Sequence, residues 1–68
     1  MDIKVNGEIK RVAQDCTVSQ LLVAFGLDPT QQGMAVAMDQ MVVPREVWPQ
    51  AKLQPGCAIE IIHAVQGG

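Results

Sequence analysis

The sequence predicts an α+β fold, a mixed sheet of four or five strands packed on one helix. Three observations carry this. Short segments alternate apolar and polar residues with the period of two that marks a half-buried strand, and turn residues separate them. A single stretch, Thr17 to Phe25, has helical periodicity. The last segment, "CAIEIIHAV", is nearly all apolar, which suits a strand in the middle of a sheet better than one at its edge.

The elements follow in order. In "MDIKVNGEIKRVA", Met1, Ile3 and Val5 alternate with Asp2 and Lys4. Asn6-Gly7 then suits a type I′ turn, whose two central residues both take positive φ. Ile9 resumes the alternation, while Val12 falls out of phase and implies a bulge or the end of the strand. In "CTVSQLLVAFGLDP", Thr17 is placed to cap a helix, with Gln20 at the capping-box spacing. Val18, Leu21, Leu22 and Phe25 form one apolar stripe. Gly26 fits the left-handed residue that ends a helix, and Pro29 bars its continuation.

Beyond the helix, Met34, Val36 and Met38 alternate with Ala35 and Ala37 in a third strand. Asp39-Gln40 turns the chain into a short strand, Met41 to Val43, which Pro44 stops. "REVWPQAKLQPG" reads as irregular, with one helical turn near Glu46 to Trp48 and a turn at Pro55-Gly56. One helix covers only one face of such a sheet and leaves the other to solvent or a partner. A hairpin, a crossing helix and a returning apolar strand describe a β-grasp roll. The expected division is a folded domain over residues 1–64 and a flexible Gly-Gly tail over 65–68.

Composition narrows the function. The 68 residues make one domain with thin stability, since a chain this short buries only about 60% of the surface its unfolded form exposes. An apolar fraction of 49% argues against disorder. The net charge is −2 and the basic residues are scattered, unlike a nucleic-acid-binding face. No apolar run reaches membrane-spanning length and no signal peptide precedes the first strand, so the expected location is the cytoplasm. Cys16 and Cys57 lack CxxC spacing and read as two small hydrophobes rather than a metal or redox site. No GxxxxGK[ST] phosphate loop appears. The lone His63 makes no catalytic arrangement, and Trp48 reads as core or as a cap on it.

The end of the chain raises its own question. Glycine is about 7% of average composition, so two in the last two places arise by accident about 0.5% of the time. Frayed termini also collect small residues. From the residues alone, a reactive end and a loose end stand level.

A resemblance shifts that balance. The opening "VNG", the helix start "TVSQLL", the stretch "VAMDQMVVPREVW" and the final "GCAIEIIHAVQGG" resemble the ThiS group, small ubiquitin-like sulfur carriers of thiamine biosynthesis. The likeness covers essentially the whole chain. Val43-Pro44-Arg45 followed by Trp48, combined with Gly67-Gly68, is its most specific part. Asp39 departs from the pattern, which commonly has Asn there.

The resemblance implies a carrier rather than an enzyme. The carboxylate of Gly68 would be adenylated by a ThiF-like adenylyltransferase, which uses ATP and Mg²⁺. A sulfur-donating enzyme would convert it to a thiocarboxylate, and the sulfur would pass to a ThiG-like thiazole synthase. Gly67 and Gly68 lack a Cβ and allow close approach in a narrow slot. If Ile59 and Ile61 face the core, Glu60, Ile62 and Ala64 point outward, and Ile62 and Ala64 become partner contacts. Arg45 has two readings, a partner contact or a tie for the loop after Pro44. Two alternatives stay open: a sulfur carrier for molybdopterin or cysteine synthesis, and a ubiquitin-like modifier or interaction module.

Overall fold

A computed structural model describes residues 1–63. Strand β1 spans Asp2–Val5, β2 Glu8–Arg11, β3 Met34–Met38, β4 Met41–Val42 and β5 Ala58–His63. Helix α1 spans Val18–Ala24, and a 3₁₀ turn spans Arg45–Val47. The strands form one five-stranded sheet in the order β2-β1-β5-β3-β4. The last strand lies at the centre, parallel to β1 and antiparallel to β3. The fold is the expected β-grasp roll.

Helix α1 starts where its cap predicts. The Thr17 hydroxyl accepts from the Gln20 N–H at 3.2 Å, and the Gln20 side chain accepts from the Thr17 N–H at 3.0 Å. These bonds satisfy two of the donors that a helix start leaves open. Val18, Leu21 and Leu22 are completely buried against Ile3, Val5, Val36, Ile59 and Ile61 on one face of the sheet. Trp48, Leu53 and both cysteines close the sides of this core. The Trp48 indole N–H donates to the Val43 carbonyl at 2.8 Å, so the ring is buried without an orphaned donor.

Two details of the sequence reading change, and one of its alternatives is decided. Phe25 is not part of the buried stripe. It is the C-cap residue, past the last full helical position, and stays 38% exposed. Gly26, at φ +76°, then takes the left-handed conformation as expected. Ile9 does not share the face of Ile3 and Val5. The two-residue turn pairs Val5 with Glu8 and Lys4 with Ile9, so Ile9 joins Lys4 on the opposite face and is 69% exposed. The same register brings Val12 opposite Met1, where their backbones exchange hydrogen bonds, and Val12 packs on the core. Of the two readings of Val12, a bulge or the end of the strand, the second holds: β2 ends at Arg11.

Candidate functional site: the end of the central strand

Strand β5 is built to be held. Ile59 and Ile61 are buried beneath it, and β1 and β3 flank it. Alternation turns Glu60 and Ile62 to the open face of the sheet, as the sequence predicted, and Ile62 is 53% exposed. Ile62 lies opposite Ala35, and Glu60 lies opposite Ala37, which in turn pairs with Val42. Ile62, Ala35, Ala37 and Val42 thus form an apolar area across three strands with Glu60 inside it. The β1–β2 side of the same face differs. Beside the exposed Ile9 it carries Lys4 and the Asp2–Arg11 ion pair, with Arg11 Nε 3.0 Å from Asp2 Oδ1. That guanidinium holds the Asp2 carboxyl below the usual carboxylate range.

Two turn residues grip β5 from either side. Asn6 and Asp39 are the first left-handed residues of the two hairpin turns, each with φ near +50°. The Asp39 carboxylate accepts from the Ala58 N–H at 2.9 Å, at the start of β5. The Asn6 side-chain carbonyl accepts from the Ile61 N–H at 2.8 Å, near its end. Sequence reasoning identified both residues as turn formers and missed both grips. The available signal was an Asx residue, one able to sit at positive φ, in each hairpin that borders a central strand.

Arg45 displays the loop-tying role of its two readings. Nη1 donates to the Pro29 carbonyl at 2.6 Å, and Nη2 donates to Gln31 at 2.8 Å and Met34 at 3.1 Å. Its guanidinium also lies 4.5 Å from the Trp48 ring centroid. Arg45 therefore ties the segment that leads from the helix into β3.

Cys16 and Cys57 are both free and buried. Burial pushes the Cys16 thiol up. Among the described residues, no three His, Cys, Asp or Glu side chains cluster as metal ligands, and no helix is long and apolar enough to cross a membrane. A concavity of about 670 Å³ beside Phe25 and the 11–16 loop lies at the opposite end of the sheet from His63. Ala64, Gly67 and Gly68 lie outside the described residues.

Comparison with known proteins gives this geometry a context. The chain is 38% identical to the sulfur carrier protein ThiS of Escherichia coli K12, over all of both proteins. Its fold matches a crystal structure of a thiamine biosynthesis protein (ThiS) from Geobacter metallireducens with a TM-score of 0.83 and 27% identity, covering both chains fully. A solution structure of a thiamine biosynthesis protein from the same organism gives a TM-score of 0.77 at 28% identity, covering all of this chain and 88% of that one. Residues 3–68 match the model of the ThiS family. With its central strand gripped at both ends and its sequence aligned from Ile3 through Gly68, the chain belongs to the ThiS family.

Proposed function

We propose that the protein is a sulfur carrier for thiamine biosynthesis and that the carboxylate of Gly68 carries the sulfur. The observation that supports this most directly is the end-to-end match to the sulfur carrier of E. coli. A carboxylate is a poor electrophile because oxide is a poor leaving group. Attack of a Gly68 carboxylate oxygen on the α-phosphorus of ATP, with loss of pyrophosphate, yields an acyl adenylate. A sulfur nucleophile then displaces AMP and leaves a thiocarboxylate, whose sulfur is delivered to thiazole synthase. ATP, Mg²⁺ and the catalytic groups belong to the ThiF-like activating partner and the sulfur to a donor enzyme. The chain itself acts as co-substrate, in the cytoplasm.

The tail also needs a base. Four extended residues beyond Ala64 reach about 13 Å, enough to enter a slot in a partner. Ordering each of them costs roughly 1–2 kcal/mol, so a firmer contact must help hold the complex. The apolar area around Ile62 suits that role, and we assign the same role to Ala64, two residues further along the sequence. Any partner role for Arg45 falls to Nε and the remaining Nη1 hydrogen, since its other donors hold the 29–34 segment.

Intact mass decides the matter. Incubated with a ThiF-like adenylyltransferase, ATP and a sulfur source, the protein should exchange one oxygen for sulfur at its C-terminus. An unchanged mass with an enzyme that modifies its own carrier refutes the proposal. Deleting Gly68 should abolish the exchange and leave the circular dichroism spectrum intact. Thiazole formation with purified thiazole synthase separates this acceptor from molybdopterin or cysteine synthesis.

A further inference from the structure

Strand β1 stops at Val5, yet β5 continues to His63. The parallel ladder between them runs from the Lys4 N–H bonded to the Cys57 carbonyl to the Asn6 N–H bonded to the Ile59 carbonyl. The next rung would join the Asn6 backbone carbonyl to the Ile61 N–H. At Asn6 the chain instead enters the left-handed region and turns away into β2. The Asn6 side-chain amide takes over that rung. Its Oδ1 accepts from the Ile61 N–H at 2.8 Å, and its Nδ2 reaches the Ile61 carbonyl at 3.4 Å. A carboxamide has the donor and acceptor of a peptide group, so it extends β1 by one unit after the backbone has left.

We infer that Asn6 is a positioning residue: its side chain fixes the base of the tail and so sets where the C-terminus is presented to an activating enzyme. Ile61 is the last buried residue of β5, and Ile62 follows it directly on the open face. Releasing the Ile61 rung leaves residues 61–63 held by β3 alone, from which the end of the strand frays more readily. Residues that the fold now holds would then have to be ordered on the partner. The inference rests on the proposed role of Gly68, and its structural half is testable apart from it.

Asp39 supplies a matched control. It too has φ near +50° and bonds one β5 amide through a side-chain oxygen, but at Ala58, the end far from the tail. Glycine accepts positive φ without strain, so Asn6→Gly and Asp39→Gly each remove one grip while keeping the turn. A general loss of stability would affect acceptance by the adenylyltransferase about equally in both. A positioning role separates them.

In Asn6→Gly, amide exchange at Ile61 should speed up about tenfold, as expected for loss of one such bond. Order parameters should fall at residues 61–63. Asp39→Gly should leave these signals at their wild-type values. Adenylation kcat/KM should fall roughly tenfold in Asn6→Gly, through KM rather than kcat, because the lost ordering is regained at binding. In Asp39→Gly it should stay within about twofold, the range of a surface change away from the site. Equal losses in the two variants would overturn the inference, as would unchanged Ile61 exchange in Asn6→Gly. If wild-type protein is not adenylated, the proposed function fails, while the exchange data still report on the grip.

Discussion

The two faces of the sheet carry similar side chains with opposite fates. The helix-covered face presents Ile3, Val5, Val36, Ile59 and Ile61, none more than 9% exposed. The open face presents Ile9, Val42 and Ile62, each more than half exposed at 69%, 75% and 53%. Neighbours in sequence divide between them, as Ile61 and Ile62 do. Since burying apolar surface contributes roughly 25 cal/mol per Å², the first set holds the fold together and the second adds little to it. A side chain that folding does not need remains available for association, and Val42 and Ile62 share the half of that face built by β3, β4 and β5.

The contrast is sharpest where a substitution removes core. Leu21→Ala empties a fully buried site beneath α1 and should destabilise the protein by about 2–5 kcal/mol, read from the midpoint of urea unfolding. A loss below about 1 kcal/mol would mean that the covered face is loosely packed. Thr17→Ala removes the helix cap and should cost about 1 kcal/mol by the same measurement, with Gln20→Ala partly reproducing it.

Ile62→Asp tests the other face. Stability should stay within about 0.5 kcal/mol of wild type, while affinity for the adenylyltransferase falls tenfold or more, on the order of 1.4 kcal/mol. Unfolding of this variant would show that the two faces have been assigned the wrong way round. The smallest effect belongs to the exposed Asp2–Arg11 pair. Its carboxyl is held low in the folded state, so the pair contributes above the ordinary Asp pKa and its contribution fades as pH falls through the depressed value. Asp2→Asn should flatten that acid limb of the thermal stability profile, and salt should erase the difference between the proteins.

Much of this division was legible in the residues. The apolar run of β5 placed it centrally, and alternation put Ile59 and Ile61 inside and Ile62 outside. Thr17 and Gln20 marked the helix start because capping is local and depends on spacing. Alternation carried straight through the turn puts Ile9 on the wrong face, because the chain reverses there. A two-residue hairpin sets residues equidistant from the turn on the same face, which would have placed Ile9 with Lys4. Phe25 had the correct spacing, but the helix ended before reaching it. The grips of Asn6 and Asp39 on β5 were not legible, since each spans a long sequence separation that only the assembled sheet closes. Arg45 had two readings for the same reason: its acceptors are backbone carbonyls, which no residue pattern announces. The tail itself lies beyond the described residues, and its assignment rests on kinship and chemistry.

The two cysteines take on a different meaning in the light of the proposed cycle. An acyl adenylate is open to attack by any thiolate, and a carrier that offered its own would lose AMP to a thioester instead of a thiocarboxylate. Burial pushes the Cys16 thiol up, away from its thiolate form, with its Sγ directed to the Thr17 carbonyl at 3.4 Å, and Cys57 is enclosed in the same core. Packing these side chains is thus also a form of chemical silence. The protein handles borrowed sulfur while its own stays out of reach.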